Sequence, residues 1–133
     1  MLLREDLAKT LEEDGNVYST YGWHPLSVDV AIANLRWIKR NQGHLMRLVE
    51  RTSVYFVERI SEMAFPEEPE VRSRGLAIAV DVQDEKYAER VAKKCRARGL
   101  LLDHQENVLL MLPALNIDRA TAKTGLDILE ACL

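Results

Sequence analysis

An α+β fold follows from three observations on the sequence. Apolar residues recur at helical spacing through residues 28–63, the period switches to two in GLAIAVDV (75–82), and two short apolar runs, LLLDH and NVLLML, precede a last helical pattern. The predicted architecture is a three- to four-stranded, mostly antiparallel sheet with helices packed on one face, preceded by a long helix pair.

Leu3, Leu7 and Leu11 share one side of a short first helix that should stop near Gly15 and Asn16. After the loop STYGWH, Pro25 suits a first helical turn, whose N–H groups have no intrahelical partner, and Val28, Ala31, Ile32, Leu35 and Ile38 mark an apolar stripe. NQG should break that helix at Gly43. Leu45, Leu48, Val49, Thr52, Phe56, Ile60 and Met63 then form a second, longer stripe, ended by Pro66 and Pro69.

Leu76, Ile78, Val80 and Val82 alternate with Ala77, Ala79 and Asp81, the mark of a strand with one buried face. Asp84 is placed to cap a helix that turns Tyr87, Ala88, Val91, Ala92 and Cys95 inward and ends at Gly99. LLLDH and NVLLML, joined by QE, make paired strands closed by Pro113. Asp118 then caps a final helix whose Ala122, Leu126, Leu129 and Leu133 share a face.

Composition narrows the function classes. The 133 residues are near the size of one domain, with 47% apolar and 29% charged residues, a globular balance. A net charge of −3 leaves no dominant basic face, and Arg36, Lys39 and Arg40 or Lys93, Lys94, Arg96 and Arg98 sit in helical patterns that also carry acids, which argues against a nucleic acid partner. No run approaches the length of a membrane span and MLLREDLAK lacks the apolar core of a signal peptide, so no membrane partner and a cytoplasmic location are expected. Cys95 and Cys132 have no paired spacing, and His24, His44 and His104 no ligand spacing, so no metal site is expected.

The polar, glycine-bearing loop STYGWHP stands directly before a helix. A helix start offers unpaired N–H groups with partial positive charge, hydroxyls and amides hold phosphate well, and Gly22 lets the backbone turn closely. By residue type and spacing alone, Ser19, Thr20 and His24 read first as a turn and cap, because a hydroxyl before a helix is ordinarily a cap.

TYGWHPLSVDVAIANL, VRSRGLAIAVDV, RGLLL and NVLLMLPALNIDRATAKTGLDIL, in this order and spacing, resemble the C-terminal third of the class-III pyridoxal-phosphate aminotransferases, the ornithine, acetylornithine and 4-aminobutyrate aminotransferase group. The resemblance covers nearly the whole chain. It implies amino-group transfer between an amine or amino acid and a keto acid, with residues 1–24 a remnant of the large cofactor domain and crossover loop and 25–133 the small domain. A threonine in the family's T-[FY]-[GS]-G-[NH]-P-like loop reaches across the dimer to the cofactor phosphate of the neighbouring subunit, which makes Thr20, with Ser19 beside it, the cofactor-binding candidate. A homodimer or a missing large domain is the implied partner.

The departures carry equal weight. The family's Schiff-base lysine lies shortly before a segment like MLLREDLAK, so the chain is expected to begin just after it, to hold no catalytic residue, and to bind no pyridoxal phosphate alone; Lys9 reads as a surface lysine. Many relatives carry an arginine in R-[FL]-x-P-[PA]-L that grips a substrate carboxylate, and Leu110 stands in its place. Trp23 stands where a glycine is usual, reshaping the pocket mouth or plugging a domain gap, and Arg72 and Arg74 are assigned to pairing with acids on the neighbouring helices. The alternative to an enzyme part is a non-catalytic assembly or binding module descended from this domain.

Overall fold

The structure is a computed structural model that describes Thr20 and residues 22–133; the expected first helix lies outside the described residues. The chain divides after Arg40 into two compact units. Helix α1 (Pro25–Ser61) opens at the expected proline, and the His24 carbonyl accepts the Val28 N–H at 3.0 Å as its first helical bond.

The helix pair expected over residues 25–63 is a single helix. Gly43 does not break it: a glycine in a helix interior costs only about 1 kcal/mol, and with no proline nearby every N–H of this stretch keeps its carbonyl. Arg47 lies along Gly43, with its guanidinium 3.7 Å from the position of an added Cβ.

In the unit ending at Arg40, the apolar side chains of α1 are outward. Leu26 is 67% exposed, Val30 54% and Leu35 55%. They fall on more than one side of the helix, the composition of a helix covered on several sides.

In the second unit, β1 (Glu70–Arg74), β2 (Ala77–Asp81), β3 (Asp103–Gln105) and β4 (Val108–Met111) form one sheet in the order β1-β2-β4-β3, every neighbouring pair antiparallel. β1 is not among the strands located in the sequence; it turns into β2 at Gly75, which has φ of +60°, a conformation that glycine adopts without a Cβ clash. β3 is shorter than LLLDH and its turn falls at Glu106 and Asn107, where Asn107 donates to Asp81 and the Asn107 carbonyl accepts the Val82 N–H.

Helix α2 (Glu85–Ala97) is capped as expected: Asp84 Oδ1 accepts the Tyr87 N–H at 3.1 Å, and Gly99 in the left-handed region ends it while the Leu100 N–H reaches back to the Cys95 carbonyl. Helix α3 (Arg119–Glu130) begins at Asp118, whose Oδ1 accepts the Thr121 N–H at 2.8 Å.

Ile78, Val80 and Leu109 turn to the helical layer and are buried with Phe56 and Ile60 of α1, Val91 and Cys95 of α2, and Leu126 and Leu129 of α3. Burial of a side chain of this size contributes roughly 1.5–3 kcal/mol, so this one face supplies the main stabilisation. The Arg119 guanidinium, stacked 3.2 Å from the Tyr55 ring centroid, and Arg59, within 3.1 Å of Asp127 and 2.9 Å of Glu130, tie α3 to α1 at the rim of the core. The opposite face of the sheet carries no helix among the described residues.

Candidate functional site

Two places carry the chemistry that the sequence points to, one in each unit. In the first, Thr20 lies in a turn with its residue exposed, and Gly22 and Trp23 make the next turn before His24 and the start of α1. Trp23 adopts φ of +60°, a conformation uncommon for a side chain of that bulk, and is 84% exposed. Its ring lies at the surface of the first unit.

Pro25 has no N–H, so the free donors at the mouth of α1 are the amides of the residues that follow it, and these carry the positive end of the helix dipole. Thr20 lies in its turn open to solvent. Donors of these kinds fit a phosphate. Ser19, the second hydroxyl assigned to this site, lies outside the described residues, as does Lys9.

In the second unit the open face of the sheet has a definite register. Arg72 pairs with Ala79, Ala79 with Leu110, and Leu110 with Asp103, so the four stand in one row across β1, β2, β4 and β3. Directly opposite residues share a face with Cβ atoms about 5 Å apart. Leu110 is half-buried. Arg72 is held by Glu70 at 3.2 Å and by Asp81 at 3.9 Å, acids of the strands themselves and not of the neighbouring helices expected to supply them.

Asp103 was not singled out in the sequence. Its signal is the strand register, which places an acid opposite Leu110 only once the β3–β4 turn is fixed at Glu106 and Asn107. An apolar cavity of about 460 Å³ opens beside this strand pair, lined by Leu101, Leu102, Leu110, Leu112, Ile117 and Leu126 among others. Among the described residues, no cluster of His, Cys, Asp and Glu is placed to hold a metal ion, and no helix is long and apolar enough to cross a membrane.

The perturbed titrations lie away from both places. Burial, with a hydrogen bond donated by the Cys95 S–H to Cys132, pushes the Cys95 thiol from 9.0 to about 12, and backbone and hydroxyl donation from Thr121 holds Asp118 below the ordinary carboxylate value. Both belong to the frame of the fold.

Comparison with known proteins covers the whole chain. The family model described as aminotransferase class-III matches residues 1–133. The chain is 29% identical to the mitochondrial acetylornithine aminotransferase of Debaryomyces hansenii, covering all of this chain and 29% of that protein. It is 26% identical to the putrescine–pyruvate aminotransferase of Pseudomonas aeruginosa, covering all of this chain and 32% of that one. An (S)-enantioselective omega-transaminase from Thermomicrobium roseum shares the fold with a TM-score of 0.72 at 22% identity, over 98% of this chain and 32% of the other. The chain therefore spans about three-tenths of the length of the relatives it matches.

Proposed function

Since the chain belongs to the class-III aminotransferases, we propose that it is the small-domain part of an enzyme that moves an amino group between an amine or amino acid and a keto acid. Residues 25–133 form that small domain, and residues 1–24 belong with the larger, cofactor-bearing part. The observation that carries the reading is the exposed Thr20 in a turn that leads into the N-terminus of α1.

Pyridoxal phosphate, when bound, supplies the aldehyde on which an amino group is carried between donor and acceptor. The residues of this chain serve its phosphate. The Thr20 hydroxyl donates to a phosphate oxygen presented by a neighbouring polypeptide, Ser19 stands beside it as a second donor, and Gly22 lets the backbone approach. Phosphate held by fixed donors orients the ring, and orientation is the contribution of this part to catalysis.

The partner is a second copy or the remaining part of the enzyme. Leu26, Val30 and Leu35 support this, because an exposed apolar surface of this extent favours association. Two free cysteines, both buried, suit a reducing cytoplasmic compartment.

Leu110 favours a second reading, a non-catalytic assembly module, since the carboxylate grip of relatives is replaced by an apolar side chain. One experiment separates the two. The chain is co-expressed with the large-domain part of a relative and supplied with pyridoxal phosphate, and amino transfer is measured. Transfer that depends on both parts supports the enzyme reading; a stable complex without transfer from any donor supports the module.

A further inference from the structure

We propose that Cys95 and Cys132 form a redox latch: when residues 131–133 lift from α2, a small-molecule disulfide oxidises the pair to an internal disulfide that fastens them back. The latch belongs to the helical layer of the second unit and takes no part in the amino transfer proposed above.

Both thiols are free and fully buried in one core cluster. Cys95 faces inward near the end of α2, and Cys132 follows α3, its N–H donating to the Leu129 carbonyl at 2.9 Å. The two side chains face each other, with the Cys95 S–H donating to Cys132. The residues around Cys95 hold the backbone of the opposite segment. Lys94 Nζ donates to the Cys132 carbonyl at 3.0 Å, and the Arg98 guanidinium donates to the Ala131 carbonyl at 2.6 Å. A disulfide needs two backbones fixed at close range, and this clamp fixes them.

The same burial gates the chemistry. It pushes the Cys95 thiol up to about 12, and a buried, protonated thiol is a weak nucleophile. The way in is through the segment 131–133, whose hold on α2 rests on the exposed Lys94 and Arg98 and on the Tyr87 hydroxyl, 3.5 Å from the Leu133 carbonyl. Once lifted, Cys132 as its thiolate attacks one sulfur of the small disulfide. A mixed disulfide forms, and the first small thiolate leaves and takes up the proton that Cys132 gave to solvent. Cys95 then attacks the Cys132 sulfur, and its proton passes to the second departing thiolate. The two cysteines are oxidised to one disulfide while the small disulfide is reduced to two thiols.

The test equilibrates the purified chain with reduced and oxidised glutathione, in native buffer and in urea, and reads the bridge by mass and peptide mapping. The bridge should form at least about tenfold more favourably in the native chain, because the fold holds the sulfurs together, and the oxidised chain should unfold at a urea midpoint higher by roughly 1 M. A bridge no more favourable in the native chain than in urea, glutathione held on separate cysteines, or bridges between copies would overturn the proposal.

Two kinds of variant complete it. K94A and R98A loosen the clamp without touching either sulfur, and each should speed native oxidation about fivefold, the effect of losing one exposed charged hydrogen bond. Rates unchanged in both overturn the proposal. C132A cannot bridge and should show no rise in urea midpoint on oxidation; a rise in that variant would place the effect elsewhere and overturn the latch.

Discussion

Val49 of α1 and Gly75 of the β1–β2 turn meet so closely that a Cβ on the glycine would stand 3.1 Å from Val49 Cγ1. The contact seats the turn on the helix, and the +60° φ of Gly75 adds a second reason for glycine there. Gly75→Ala is expected to cost roughly 1–2 kcal/mol from the left-handed backbone alone, with the Val49 contact on top. In urea unfolding, Val49→Ala should relieve only the contact part of that loss, so a double variant as stable as Val49→Ala alone would contradict this account.

Core and surface leucines should separate sharply. Leu109 is fully buried on the helical face of the sheet, and Leu109→Ala is expected to lose about 2–5 kcal/mol. Leu101, 85% exposed, should tolerate serine within about 0.5 kcal/mol. Denaturant midpoints of the two variants measure the difference.

Stability should fall at both ends of the pH scale. The Cys95 thiol is raised from 9.0 to about 12, chiefly by burial, so the folded chain favours its protonated form; the stability this gives is complete below 9.0 and is lost as pH rises toward 12. Asp118, lowered chiefly by the backbone hydrogen bond from Thr121, and Asp127, lowered chiefly by the hydrogen bond from Lys123, act with the opposite sign. Their contribution is complete above the ordinary value of 3.8 and is lost as pH falls through their lower folded values. Asp118→Asn keeps a capping side chain and should flatten the acid limb, read from unfolding midpoints across pH.

The chain by itself should scatter light as a dimer or larger. Val30→Glu with Leu35→Glu places charge on two exposed apolar positions of α1 and should shift the mass toward one copy, with the circular dichroism of the second unit unchanged. A single copy for the unsubstituted chain at high concentration would remove α1 as an association surface.

Thr20→Val should leave the stability of the isolated chain unchanged, because the residue is exposed. In the assembled enzyme it should weaken pyridoxal phosphate about tenfold, the effect of one hydrogen bond to a charged oxygen, and Thr20→Ser should restore most of it. Equilibrium dialysis of the cofactor distinguishes these outcomes.

Local signals in the sequence foretold local structure well. Asp84 and Asp118 cap the helices assigned to them, and the alternation in residues 76–82 gives the buried strand. β1 escaped notice because Glu70–Arg74 is an edge strand in which only Val71 is partly covered, leaving no apolar alternation to detect. Gly43 misled because a glycine weakens a helix without ending it. At the site, the turn at Thr20 was visible in its residue types. Asp103 was not, since pairing it with Leu110 depends on the register of a hairpin, and a shift of one residue would place it on the opposite face.

The two rims of the sheet carry a further consequence. β3 spans three residues, and β1 bears Glu70, Arg72 and Arg74 on the open face. Short and charged borders offer an incoming strand few backbone groups and would force charged side chains out of water if the ladder were extended. The borders of this sheet are therefore poor templates for cross-β stacking.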